Sequence, residues 1–174
     1  MASIYKDASI AASPEAVWDV VRDVGAVHTR FAPGFVIDVA LEDGARMVTF
    51  GNGLVAREVF VTVDEANRRL VYSVRSERMD HHNASFQVFP DGSGSRLVWI
   101  ADVLPEAAGA TVDQMMQAGI EAAKACLDKL GVRAAVSIAS RFPVPSPPEG
   151  EGERYRRPRP HGGPVALGSD PETS

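Results

Sequence analysis

The turn signals between residues 35 and 103 constrain the fold of this chain more than any other feature. Residues that favour tight turns cluster in four places, at Glu42-Asp43-Gly44, Gly51-Asn52-Gly53, Asp64-Glu65-Ala66-Asn67 and Pro90-Asp91-Gly92-Ser93-Gly94. With segment 77–82, these turns separate six runs rich in strand-forming residues, at 35–41, 46–50, 54–63, 69–76, 83–89 and 95–103. Because short connections join antiparallel neighbours, the sequence predicts an antiparallel sheet, to which residues 3–11 add a seventh strand.

Two short helices are predicted between the first strand and the second. Ser13 suits an N-cap, Pro14 suits the first helical position, and Glu15 complements the helix dipole. This helix is expected to end near residues 24–25. A second short helix at 26–31 ends before Pro33, because the residue ahead of a proline disfavours helical geometry.

A long helix is predicted from residue 111 to residue 130. Its apolar and small residues recur at helical spacing and form one stripe, made of Val112, Met115, Met116, Gly119, Ile120, Ala123, Leu127 and Leu130. Gly131 follows the stripe and is predicted to be the C-cap, with a helical continuation over residues 132–142 left open. The fold class is therefore α+β, with a curved sheet wrapped around the long helix.

The last part of the chain differs from the rest in composition. Eight of the twelve prolines lie between residues 143 and 174, with few apolar residues among them. Such a segment buries too little apolar surface to offset the entropy of ordering it. We therefore predict one domain at 1–142, with its core at 3–130, and a disordered proline-rich tail at 143–174.

Charge and cysteine content restrict the classes of partner and compartment. The net charge of -5 leaves no basic surplus to neutralise phosphates, so we expect no nucleic-acid partner. Cys126 is the only cysteine, which excludes an intramolecular disulfide and fits a reducing compartment. No apolar run suits a signal peptide or a membrane span, so a cytoplasmic location is expected. A homodimer is left open.

Three segments carry a resemblance to a known family. They are the opening 10–21 (IAASPEAVWDVV), the hairpin 63–72 (VDEANRRLVY) and the hairpin 86–99 (FQVFPDGSGSRLVW). With the order of elements, they resemble the START-like helix-grip superfamily (SRPBCC), and most of all its polyketide cyclase/dehydrase branch. The resemblance implies a seven-stranded curved sheet around the C-terminal helix, with a small hydrophobic ligand between them. Some such proteins are cyclases and others carry lipids or hormones, and the fold alone does not decide.

Strand alternation assigns the side chains of the hairpin around 91–94 to two faces. If Pro90 and Ser95 flank the turn, Phe86 lies opposite Trp99. The more apolar face is predicted to point inward, and it carries His82, Ala84, Phe86, Val88, Leu97, Trp99, Ala101 and Val103.

The hairpin around 64–68 gives a second assignment. If Val63 pairs with Arg69, then Glu58 and Phe60 share a face with Tyr72. The aromatic pair Phe60 and Tyr72 favours this face as the inner one. A slip of one residue would reverse the assignment and place Arg57 inside instead of Glu58.

The remaining predicted contacts with a ligand come from helices. The long helix would close the pocket with Met115, Met116, Gly119 and Ile120, although a methionine pair on an apolar stripe also suits plain core packing. Trp18 and Phe31, on the two short helices, would line the mouth of the pocket or pack in the core.

No metal or other cofactor is predicted. His81 and His82 are neighbours on a strand and point to opposite faces, so they do not readily chelate one ion. Cys126 has no activating partner in the sequence.

General acid/base chemistry is the reaction type that fits the predicted pocket. Cyclisation and dehydration of a polyketide-like or aromatic substrate would need a base and an acid, for which Glu58 and His82 are the candidates. Tyr72 could orient a carbonyl, and Arg57 replaces Glu58 if the register slips. A carrier or sensor that binds such a molecule without chemistry is the alternative.

Overall fold

The computed structural model describes residues 1–76 and 79–141. One antiparallel sheet contains seven strands in the order β1-β7-β6-β5-β4-β3-β2. The strands are β1 (Ala2–Ile10), β2 (Val36–Glu42), β3 (Ala45–Phe50), β4 (Val55–Asp64), β5 (Arg69–Arg75), β6 (His81–Asp91) and β7 (Gly94–Leu104). The helices are α1 (Pro14–Val21), a π-helical turn (Val27–Phe31), a 3-10 turn (Glu106–Ala108) and α2 (Gly109–Arg141). This architecture confirms the predicted helix-grip α+β fold, whereas the predicted tail lies outside the described residues.

The start of α1 agrees with the sequence prediction. The Ser13 hydroxyl accepts a hydrogen bond from the backbone N–H of Ala16 at 3.3 Å, and Pro14 is the first helical residue. The buried face of α1 includes Trp18, whose indole N–H donates to the Glu65 carboxylate at 2.6 Å. This bond attaches α1 to the turn between β4 and β5.

The hairpin of β6 and β7 has the predicted register. Phe86 lies opposite Trp99, and Pro90 lies opposite Ser95. His82, Phe86 and Leu97 are buried, and His81 is exposed, as expected for alternation along a regular strand.

The hairpin of β4 and β5 contains a β-bulge that the sequence did not reveal. Near the turn, Val63 pairs with Leu70 rather than with Arg69, so the predicted register is wrong there. The register shifts by one residue between Phe60 and Thr62, and beyond it Phe60 pairs with Tyr72. Glu58 is therefore buried on the inner face. Arg57 points outward, where its guanidinium donates to Glu42 at 2.7 Å.

Helix α2 covers the concave side of the sheet and packs against β1. Met116, Ile120, Ala123 and Leu127 are buried along it, in agreement with the predicted stripe. The helix continues past Gly131 to Arg141, so the prediction of a C-cap at Gly131 is wrong. Within residues 1–76 and 79–141, none of the helices combines the length and hydropathy that a membrane-spanning helix requires.

Gly131 has a different role, which is to let α2 cross the segment between β1 and α1. A Cβ atom at this position would overlap the carbonyl oxygen of Ala11. Only glycine therefore fits the helix at this crossing without movement of one backbone.

We expect Gly131→Ala to destabilise the protein. Helix propensity alone would favour alanine by about 1 kcal/mol. The overlap with Ala11 should outweigh it, since overpacking costs about 1–3 kcal/mol. Urea denaturation measures the net change, and Ala118→Gly at an exposed position of α2 calibrates the propensity. A stabilised Gly131→Ala variant would show that the close approach is absent.

Candidate ligand cavity

A cavity of about 660 Å³ lies between the concave face of the sheet and α2. This volume is in the usual range for sites that bind small molecules. Its lining is mostly apolar and includes Phe31, Phe35, Val36, Val48, Phe50, Val74, Phe86, Trp99, Ala101, Val112, Met115, Met116 and Gly119.

Three adjacent strands give the cavity an aromatic wall. The ring centroids of Tyr72 and Phe86 are 6.0 Å apart, and those of Phe86 and Trp99 are 4.6 Å apart. Phe31 meets the Phe86 ring edge-on at 5.1 Å. The wall follows from strand pairing, because Tyr72 on β5, Phe86 on β6 and Trp99 on β7 all point inward.

Gly119 brings α2 close to this wall. A Cβ atom here would lie 2.8 Å from ring carbons of both Phe35 and Trp99. Phe35, in the loop before β2, also packs edge-on against Phe50 at 5.2 Å. The absence of a side chain at Gly119 therefore allows two aromatic rings to lie directly on the helix.

A buried ion pair lies on the sheet side of the cavity. Arg46 on β3 and Glu58 on β4 are directly opposite each other, and they are only 4% and 6% exposed. Arg46 Nε donates a hydrogen bond to Glu58 Oε2 at 2.7 Å, and Arg46 Nη2 lies 2.6 Å from the same oxygen. Arg46 Nη1 donates to the Val24 carbonyl at 2.9 Å.

The same guanidinium group lies near two aromatic rings. Its central carbon is 5.6 Å from the Phe60 ring centroid and 6.0 Å from the Tyr72 ring centroid. Aromatic faces attract cations, so these contacts add to the ion pair. Together, Glu58, the Val24 carbonyl and two rings surround Arg46.

Tyr72 is a hydrogen-bond donor toward the cavity. Burial raises the pKa of its hydroxyl well above the ordinary value, and the negative charge of Glu58 raises it further. Its oxygen accepts a hydrogen bond from Trp99 Nε1 at 3.1 Å. Among the described residues its proton has no acceptor, so the O–H can donate to a bound molecule.

His82 is a second donor. The backbone N–H of Val74 donates to His82 Nδ1 at 3.3 Å, which assigns the proton of the neutral ring to Nε2. Burial lowers the pKa of His82 below its ordinary value, and the neighbouring His81 lowers it further. The ring is therefore uncharged at neutral pH, and in this tautomer it donates a hydrogen bond and does not act as a base.

Most of the predicted site residues line one cavity. Those that line it are Phe31, Glu58, Tyr72, His82, Phe86, Trp99, Met115, Met116 and Gly119. Three others do not, namely Trp18, Phe60 and Ile120. The Trp18 indole is hydrogen-bonded to Glu65, and the Phe60 ring contacts the guanidinium group of Arg46. Ile120 is buried one residue beyond Gly119, where the rings of Phe35 and Trp99 meet the helix.

Among the buried polar residues of the cavity, Arg46 is the one that the sequence analysis missed. The sequence feature that could have predicted its position is the turn Gly51-Asn52-Gly53. The N–H of Phe50 donates to the carbonyl of Leu54 across this turn. Counting back along both strands from this pair places Arg46 opposite Glu58. The opposite charges at these two positions then predict a cross-strand ion pair.

The described residues, 1–76 and 79–141, contain no cluster of three His, Cys, Asp or Glu side chains that could hold a metal ion. His81 and His82 point to opposite faces, and the Cys126 thiol donates to the Arg30 carbonyl at 3.2 Å.

A curved antiparallel sheet that encloses a cavity against a long C-terminal helix defines the helix-grip class of proteins. The chain belongs to the family described as polyketide cyclase / dehydrase and lipid transport, whose sequence profile matches residues 1–135. This finding confirms the resemblance noted in the sequence. A comparison with curated protein sequences gave no match.

Solved structures with the same fold include bacterial and plant proteins. The protein XoxI from Bacillus cereus is 19% identical with a TM-score of 0.66, over 73% of this chain and 96% of that chain. A Thermobifida fusca protein is 26% identical with a TM-score of 0.60, over 78% of this chain and 95% of its own. Norcoclaurine synthase from Thalictrum flavum is 21% identical with a TM-score of 0.58, over 76% and 87%. These similarities show the fold.

We expect Arg46→Met to destabilise the protein by about 3–5 kcal/mol, because it leaves the Glu58 charge buried without a partner. Adding Glu58→Leu should restore most of the loss, since an apolar pair of similar volume replaces the ion pair. Denaturant unfolding of the two variants measures both changes.

The neighbouring ion pair of Arg57 and Glu42 is the matched control. It joins exposed side chains, so Arg57→Met should change stability by less than about 1 kcal/mol. Equal effects of Arg46→Met and Arg57→Met would contradict the assigned role of burial.

Proposed function

We propose that this protein binds a small, largely apolar molecule, polyketide-like or aromatic, in the cavity between the sheet and α2. The observation that carries the proposal is the distribution of polar groups in the cavity of about 660 Å³. Among the described lining residues, the buried polar side chains are Arg46, Glu58, Tyr72 and His82, and all four come from β3 to β6. A mostly apolar cavity with a few convergent polar groups is typical of ligand sites.

Two further observations support the proposal. The aromatic wall of Tyr72, Phe86 and Trp99 presents surfaces on which a planar molecule can pack. A structure of similar fold, norcoclaurine synthase, is a complex with two aromatic molecules, dopamine and hydroxybenzaldehyde. By analogy with norcoclaurine synthase, an aromatic ligand would fit a cavity of this fold that has an aromatic wall.

We expect Met115→Trp to weaken binding of the neutral fluorescent dye N-phenylnaphthylamine by about tenfold or more. Met115 lines the cavity, so the larger ring should occupy space that the dye needs. The matched control is Met47→Trp, at a position of β3 that does not line the cavity. Fluorescence titration measures both affinities. Equal affinities of the two variants would place dye binding elsewhere on the protein.

Catalysis is a second candidate function, favoured by the complementary groups in the same cavity. Glu58 Oε1 accepts no hydrogen bond from the described residues, whereas Tyr72 and His82 have donors available. The Glu58 carboxylate could remove a proton next to a ketone, while the Tyr72 and His82 donors stabilise the enolate oxygen that forms. Attack of the enolate carbon on a second carbonyl, followed by loss of water, would complete a cyclisation. A carrier or sensor would use the same contacts without the proton transfer.

We expect the protein to convert the diketone phenacylacetone into 3-phenylcyclopent-2-enone and water. Glu58→Gln should lower the rate by about 100-fold or more, since a positioned base contributes about that much. Its affinity for N-phenylnaphthylamine should stay within about threefold of wild type. The absorbance of the enone measures the rate, and Glu42→Gln is the control at an exposed carboxylate. Unchanged phenacylacetone recovered from a bound state would favour the carrier.

A further inference from the structure

Resting on the function proposed above, we propose that the cavity selects uncharged ligands and rejects carboxylates of the same shape. The ligand class is a neutral aromatic or apolar molecule whose polar end is a carbonyl. The proposal follows from the juxtaposition of a closed ion pair, Arg46 with Glu58, and two hydrogen-bond donors, Tyr72 and His82, in one apolar cavity.

The positive charge in the cavity is already neutralised. Arg46 directs two of its nitrogens to Glu58 Oε2, at 2.7 and 2.6 Å, and a third to the Val24 carbonyl. The Phe60 and Tyr72 rings lie near its guanidinium group at 5.6 and 6.0 Å. An anionic ligand therefore meets a neutral pair and not an available cation.

A carboxylate ligand would also meet an unfavourable environment. Taking its charge out of water is costly unless a counter-charge replaces the water. Glu58 lines the same cavity and already supplies the counter-charge of Arg46, so the ion pair offers an anion no net attraction to offset that cost. His82 does not compensate, because burial lowers its pKa and keeps the ring neutral.

The other charged residue of the described lining is Arg75, near the end of β5. Its side chain is exposed, so water and salt screen its charge. Arg75 can therefore attract an anion to the outside of the cavity without stabilising one beside Glu58.

The donors define the favoured polar end. Tyr72 offers an O–H and His82 an Nε2–H, and both ring systems belong to the inner face of the sheet. A ketone or amide oxygen accepts such bonds without carrying a charge. A plain hydrocarbon would displace water from these donors and leave them without an acceptor, which costs free energy. A ligand with a carbonyl oxygen is therefore favoured over a plain hydrocarbon.

The test compares two probes of nearly identical shape, the neutral ketone β-acetylnaphthalene and the anion β-naphthoate. Each displaces the neutral dye N-phenylnaphthylamine from the wild-type protein at pH 7. We expect the ketone to bind about tenfold tighter or more. Equal affinities, or tighter binding of naphthoate, would overturn the inference.

The second part of the experiment repeats both displacement titrations with the variant Glu58→Gln. This substitution leaves Arg46 charged without a counter-ion, so the affinity for naphthoate relative to the affinity for the ketone should rise about tenfold or more above the wild-type ratio. The control Glu42→Gln removes an exposed carboxylate that does not line the cavity, and it should alter neither affinity. If Glu58→Gln does not fold, the wild-type comparison decides alone.

Failure of the two proposals can be told apart. Dye that binds and is displaced by neither probe would overturn the inference on ligand class and leave the cavity function standing. If the dye and both probes fail to bind, the cavity function fails, and the inference falls with it.

Discussion

The buried ion pair of Arg46 and Glu58 is the interaction on which the site depends. Two charges removed from water are stable together only when their geometry is good and further hydrogen bonds satisfy them. Here the partners are cross-strand neighbours, and the Val24 carbonyl accepts a further hydrogen bond from Arg46. The pair therefore fixes β3 against β4, and it also ties the sheet to the segment that follows α1.

The ion pair exists because of the bulge in β4. If the register near the turn, with Val63 opposite Leu70, continued along the strand, Val59 would lie opposite Val74. Glu58 would then point outward, and Arg57 would take its place in the cavity. The extra residue between Phe60 and Thr62 restores the pairing of Glu58 with Val74. One bulge thus decides which charged side chain faces the cavity.

Regular features of the chain were predictable from sequence, and irregular ones were not. The turn at 90–95 is tight and its strands are unbroken, so alternation placed His82, Phe86 and Trp99 correctly. The bulge leaves no clear mark in the sequence, and the inward position of Glu58 was reached from a register that is wrong near the turn. Gly131 looked like a helix end because its crossing partner, Ala11, is distant in sequence.

The candidate site was only partly predictable for a similar reason. A charged residue on a strand usually faces water, so the sequence alone does not predict that Arg46 is buried unless its pairing with Glu58 is recognised. Phe60 was predicted to touch a ligand, but the burial of Arg46 draws its ring onto the guanidinium group. Because the Arg46–Glu58 pair was not predicted, the position of the Phe60 ring was predicted wrongly as well.

The tautomer of His82 decides which of the two predicted acid/base groups, Glu58 and His82, can accept a proton. Because the Val74 N–H occupies Nδ1, the imidazole can give a hydrogen bond to a ligand, and it can accept a proton at Nε2 only after losing the existing one or changing tautomer. Acceptance of a proton therefore falls to Glu58, whose Oε1 is not engaged by the described residues. A cyclase and a carrier would share this arrangement of one acceptor and two donors. The difference would lie in the ligand, since only a molecule with an acidic C–H beside its carbonyl gives the carboxylate a proton to remove.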